Sequence, residues 1–144
     1  MSELLQEIES YWSTRTEGYS EVNQKELQGI QKKVWLQVLK EQFPDKPKEQ
    51  LKILDIGTGP GFFPMILAGD GYRVDAVDYT QEMLEKAMKN TAKLCESIQF
   101  QKMDAQHLTF GDGVFDVVIS RNLTWNLEEP EKAYGEWYLS LIHI

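Results

Sequence analysis

The chain has 144 residues, 42% of them hydrophobic and 26% charged, the size and composition of about one globular domain and not of a disordered chain. Fifteen Lys and Arg against 23 Asp and Glu leave a net charge of -8, a field that repels phosphate backbones and anionic lipid, so nucleic acid and membrane surfaces are not expected as partners. No apolar run approaches the roughly 18 residues of a membrane span, residues 1–10 are acidic where an export signal would be basic and then apolar, and the single cysteine, Cys95, offers neither an internal disulfide nor a zinc cluster. The expectation is a soluble cytoplasmic protein with no metal site.

Leu4, Leu5, Ile8, Tyr11 and Trp12 recur at helical spacing after Ser2, a plausible cap, and predict a short amphipathic helix. The period is lost over residues 11–19. Asn23 followed by Glu26 resembles a capping box opening a second helix, with Leu27, Ile30, Val34 and Val38 as its buried stripe. Pro44 and Pro47 then break that helix into a linker.

From residue 51 short apolar runs alternate with helical segments, the pattern of βαβ units and a parallel sheet. Strands are expected over residues 51–56, 72–78, 98–103 and 114–120. A helix over 62–68 follows the glycine turn and carries Pro64 in its tolerant first turn. A second helix, capped by Thr80, carries Met83, Leu84, Ala87, Met88 and Leu94, and a last one begins near Pro130 with Ala133, Tyr134, Trp137 and Tyr138. No internal repeat or low-complexity tract is present.

In a doubly wound sheet the ligand sits beyond the carboxyl ends of the strands. Those ends carry Asp55 with the turn Gly57-Thr58-Gly59-Pro60-Gly61, then Asp78, Asp104, and Ser120-Arg121-Asn122. The glycines let the backbone approach a ligand closely, although such a turn is often only a strand-to-helix connection. Asp78 stands where an acid accepts hydrogen bonds from two ribose hydroxyls, and so predicts a nucleoside. Asp55 would repel a pyrophosphate but favours a ligand bearing an ammonium or sulfonium charge. The turn is Gly-x-Gly-x-Gly with Phe62 where a dehydrogenase has its third glycine, so a nicotinamide cofactor is disfavoured.

Leu54-Asp55-Ile56-Gly57-Thr58-Gly59-Pro60-Gly61, Val77-Asp78, Met103-Asp104-Ala105 and Phe115-Asp116-Val117-Val118-Ile119-Ser120-Arg121 resemble, in order and approximate spacing, the class I S-adenosylmethionine-dependent methyltransferases. The similarity is greatest to the small-molecule enzymes of ubiquinone and menaquinone biosynthesis, and it covers roughly residues 50 to 138. It implies an α/β, Rossmann-like doubly wound parallel sheet and methyl transfer from S-adenosylmethionine to a small-molecule acceptor by in-line displacement. It further implies that Asp55, Gly57, Thr58, Gly59 and Gly61 hold the methionine part of the cofactor and that Asp78 binds the ribose. Asp104 and Ala105 would meet the adenine, Tyr79 or Thr80 would flank it, and Ser120, Arg121 and Asn122 would line the sulfonium. By the same resemblance Tyr11, Trp12, Arg15 and Tyr19 match lid positions, although simple helix packing explains them equally well.

No catalytic residue is assigned. Alignment of nucleophile, methyl carbon and sulfur supplies much of the rate, so a base is optional. His107 reads as a surface histidine. Trp125 fits an acceptor pocket or the core equally, and Cys95 has no basic neighbour to activate it. The resemblance implies a seven-stranded sheet, of which four strands are expected here, so the chain reads as a helical cap (1–48), the cofactor half of the domain (49–138) and a non-native tail (139–144). The tail corresponds to codons CTG TCT CTT ATA CAC ATC, similar to a transposase-adaptor sequence, and suggests a truncated reading frame. The alternative to an enzyme is a noncatalytic protein binding S-adenosylmethionine or S-adenosylhomocysteine, or a fragment inactive through truncation. Oligomeric state is not readable.

Overall fold

The computed structural model describes residues 3–28 and 31–120. The N-terminal part is two helices, α1 (Glu3–Gln28) and α2 (Gln31–Gln42). The expected break over 11–19 is absent, and Asn23 and Glu26 lie inside α1 instead of capping a new helix. The period fades there because the helix buries hydroxyls: Thr16 and Ser20, one turn apart, are both buried, and the Thr14 hydroxyl donates back to the Tyr11 carbonyl at 2.7 Å without capping anything.

The stripe of α2 also differs from expectation. Val34 and Val38 are exposed, whereas Leu39 is buried and Trp35, Leu36 and Phe43 pack beside it. Bulk decides between the faces, because Trp35 meets Phe62 and Phe63 edge-on at 6.2 and 5.5 Å and Phe43 meets Tyr72 at 5.3 Å. Leu27 and Ile30 lie outside the described side chains. The segment holding Pro44 and Pro47 is irregular, as expected, and ends in a single 3-10 turn, Lys48–Gln50.

Strands β1 (Lys52–Ile56), β2 (Arg73–Asp78), β3 (Ile98–Lys102) and β4 (Val117–Ser120) form one parallel sheet in the order β3-β2-β1-β4. The crossover helices are α3 (Phe62–Gly69) and α4 (Gln81–Asn90). Alternation along β1 sends Ile53 into a core with Phe62, Phe63, Ile66 and Leu67, and Leu54 and Ile56 into a second core with Val77, Met103 and Phe115. Both faces are thus covered, as a parallel sheet requires.

Two boundaries move. Helix α4 stops at Asn90, short of Leu94, because the Thr91 hydroxyl and amide both donate to the Ala87 carbonyl and the chain tightens into a 3-10 stretch, Ala92–Ser97. Strand β4 begins at Val117, not at residue 114. Phe115 turns into the core and the Asp116 carboxylate accepts the Lys52 amide at 2.8 Å. The helix expected near Pro130 and the tail lie outside the described residues, and among the described residues no helix is long and apolar enough to cross a membrane.

The Asp116 side chain, 2% exposed, also receives Lys46 at 3.2 Å and so binds the linker and β1 to the start of β4. Replacing it leaves the Lys52 amide without a partner, so Asp116→Ala is expected to lower the unfolding free energy by about 1–3 kcal/mol, read as a shifted midpoint in urea at unchanged slope.

Candidate functional site

Because every strand runs the same way, the carboxyl ends of β1, β2, β3 and β4 share one edge, with Ile56 opposite Val77 and Ser120, and Asp78 opposite Lys102. The chain order reverses between β1 and β4, which makes that edge the expected crevice of a doubly wound sheet.

The turn after β1 is held from both sides. The Gly57 and Thr58 amides donate to the Val77 carbonyl at 2.9 and 3.0 Å, Gly61 N–H donates to Thr58 O at 3.1 Å, and Gly59 N–H donates to Asp78 Oδ2 at 2.8 Å. Gly59 has φ 57° and Gly61 φ 95°, a left-handed conformation that side chains disfavour. A Cβ on Gly61 would also stand 3.3 Å from Ala87 Cβ and 3.4 Å from Thr91 Cγ2. The loop therefore rests directly on α4.

Asp78 accepts a second bond, from the Thr80 amide at 2.9 Å. Thr80 is the residue before α4, as expected, but its side chain makes no cap bond. The Thr80 hydroxyl and the Tyr79 amide also favour the charged form of Asp78. Burial pushes its carboxyl up despite these bonds.

Asp55 is 2% exposed. Burial, and behind it the charge of Asp78, raise its carboxyl from 3.8 to about 7, while Thr58 Oγ1 beside it, outside hydrogen-bond geometry, partly offsets the rise. Ser120 Oγ, at the end of β4, is buried with no hydrogen-bond partner. Among the described residues Asp55 has no cation beside it and the Ser120 hydroxyl no partner, which fits a ligand with a positive centre. Asp78, one strand away, is an acceptor that fits hydroxyls.

The outer end of this edge is polar. Asp104 Oδ1 accepts the Gln106 amide at 2.9 Å, and the Asp104 carbonyl accepts the His107 amide at 2.9 Å, which closes a tight turn around buried Ala105. His107 is exposed, as expected of a surface residue. Tyr79 lies under Lys102, whose Nζ is 5.2 Å from the ring centroid. Burial, Glu9 and Asp104 raise its phenol, and Lys102 opposes them.

Glu9, which no local pattern singles out, accepts Lys102 at 2.7 Å and the Gln81 amide at 3.5 Å and fixes α1 beside the start of α4. Partners 72 and 93 residues apart leave no local pattern. Of the expected lid residues, Tyr11 is 47% exposed on α1. The side chains of Trp12, Arg15 and Tyr19, and the whole of Arg121, Asn122 and Trp125, lie outside the described set.

Gly61→Ala is expected to lose about 1–2 kcal/mol in thermal or urea unfolding, from strain at positive φ and from the contact with Ala87. For Asp55 the folded-state pKa lies above the unfolded one, so its contribution is fully present below about pH 4 and lost as pH rises to about 7. The stability of ligand-free Asp55→Asn relative to the parent chain should accordingly grow between about pH 4 and 7, then level off after a gain of up to about 4 kcal/mol. A pH-independent difference would refute the assignment.

The description "methyltransferase domain" belongs to a family model that matches residues 54–142. A malonyl-[acyl-carrier protein] O-methyltransferase from Geobacter sulfurreducens is 33% identical over 110 residues, which is 74% of this chain and 40% of that protein. A demethylmenaquinone methyltransferase from Thermus thermophilus is 33% identical over 93 residues, 63% of this chain and 42% of that protein. Among solved structures, a candidate S-adenosyl-L-methionine-dependent methyltransferase from Methanococcus maripaludis superposes with a TM-score of 0.80 at 24% identity, over 90% of this chain and 58% of the other, a likeness of fold. The chain spans 23% to 42% of the length of the curated relatives it matches. Its sheet order, glycine turn and matched segment place it in one family: the chain belongs to the methyltransferase domain family and has the class I, Rossmann-like fold.

Proposed function

We propose that this chain carries the cofactor-binding half, residues 49–138, of a cytoplasmic enzyme that moves a methyl group from S-adenosylmethionine to a small-molecule acceptor. The observation that carries this reading is the pair of carboxyl groups on adjacent strand ends, the buried Asp55, with no cation beside it among the described residues, and the half-buried Asp78, locked by the Gly59 and Thr80 amides. When bound, S-adenosylmethionine supplies a methyl group already activated by sulfonium charge.

Each residue then has a physical task. Asp55 balances the positive charge of the methionine end, and Gly57, Thr58, Gly59 and Gly61 bring backbone close to it. Asp78 accepts the ribose hydroxyls. Asp104 offers its second carboxylate oxygen to the adenine amino group beside Ala105, with Tyr79 flanking the base. Ser120 turns its unmatched hydroxyl toward the sulfonium end, with Arg121 and Asn122 next in sequence, and Tyr11, Trp12, Arg15 and Tyr19 on α1 form a lid. Such a site accelerates the reaction by alignment and water exclusion, and no side chain is assigned as a base. The net charge of -8 favours a small acceptor over a nucleic acid.

Calorimetric titration with S-adenosylhomocysteine tests the site, with NAD as control. Saturable binding of S-adenosylhomocysteine alone is expected. Asp78→Ala should weaken it roughly 10- to 100-fold, the loss of charge-assisted hydrogen bonds. A folded chain that binds neither ligand, or that binds NAD instead, overturns the proposal.

A further inference from the structure

Asn90 closes α4, and its side-chain amide spans two elements that the sequence keeps far apart. Nδ2 donates to the Pro60 carbonyl at 2.9 Å and to Ser20 Oγ at 3.1 Å. An amide nitrogen has two hydrogens, one for each bond. Pro60 lies between Gly59, whose N–H holds Asp78, and Gly61, whose missing Cβ lets the loop rest on Ala87. Glycines confer freedom on this loop, and Pro60 has no N–H with which to restrain it. The carbonyl tether to Asn90 is a restraint from beneath.

Ser20 is 2% exposed, so the second bond is shielded from water, where a lost partner costs most. Helix α1 thus follows α4 from end to end: Glu9 meets Gln81 at the first turn and Ser20 meets Asn90 at the last.

We propose that Asn90 is a positioning residue for the glycine loop, and that its second amide hydrogen makes the loop's alignment depend on the docking of α1. Its effect on ligand affinity rests on the cofactor reading above. Its effect on the loop does not.

The test uses the whole chain and two variants. Asn90→Asp keeps the shape but removes both donors, and Ser20→Ala removes only the α1 acceptor. Amide hydrogen exchange over residues 57–61 of the ligand-free chain and calorimetric affinity for S-adenosylhomocysteine are measured well below each unfolding midpoint. Asn90→Asp should speed loop exchange and weaken affinity about tenfold each, and Ser20→Ala about threefold each, with α1 exchanging faster in both. A merely structural Asn90 would lower the unfolding midpoint and leave loop exchange and affinity unchanged in the folded variants, which would overturn the proposal. If Asn90→Asp does not fold, Ser20→Ala decides in the same two directions. If the parent chain does not bind S-adenosylhomocysteine, the cofactor reading fails while loop exchange still decides the role of Asn90.

Discussion

Parallel strand pairing governs this molecule. A parallel strand can be re-entered only through a crossover, so β1, β2, β3 and β4 all end on the same edge, and residues that finish different strands become neighbours. Asp55, Asp78, Asp104 and Ser120 are separated by 16 to 65 residues in sequence, yet the pairing of Ile56 with Val77 and Ser120 brings their strand ends together. The glycine turn depends on the same pairing, because its first two amides are taken by the Val77 carbonyl of the neighbouring strand.

That arrangement has an electrostatic cost. Two carboxylates are withdrawn from water on adjacent strands, and burial raises both. Asp78 is supported by two backbone amides. Among the described residues Thr58 alone lowers the Asp55 carboxyl, and burial outweighs it. A fold retaining an acid in that condition gives up some stability in the ligand-free state.

Helix α1 meets the domain through directional polar contacts. Glu9 and Ser20 bond to partners on the domain and Thr16 is buried, while Leu4 and Tyr11 on the same helix remain about half exposed. Directional hydrogen bonds fix the register of α1 along α4, which an apolar stripe would do less sharply. Helix α2 is attached differently, by aromatic packing of Trp35 and Phe43 onto Phe62, Phe63 and Tyr72.

By itself the sequence determined the four strands, the helices between them, the glycine turn and the acids at the strand ends. Each of these is local: a run of β-branched and apolar residues, a proline in a first helical turn, or glycines adopting positive φ. The limits of that local code are visible at α1, where the hydroxyl residues Thr16 and Ser20 are buried, and at α2, where Val34 and Val38 keep helical spacing but are exposed. Tertiary structure alone decided the sheet order, the burial of Asp55, the grip of Asp116 on Lys46 and Lys52, and the contacts of Glu9 and Asn90. Those features arise between groups 21 to 93 residues apart. Their energies come from desolvation and hydrogen-bond geometry, which exist only once the chain has folded.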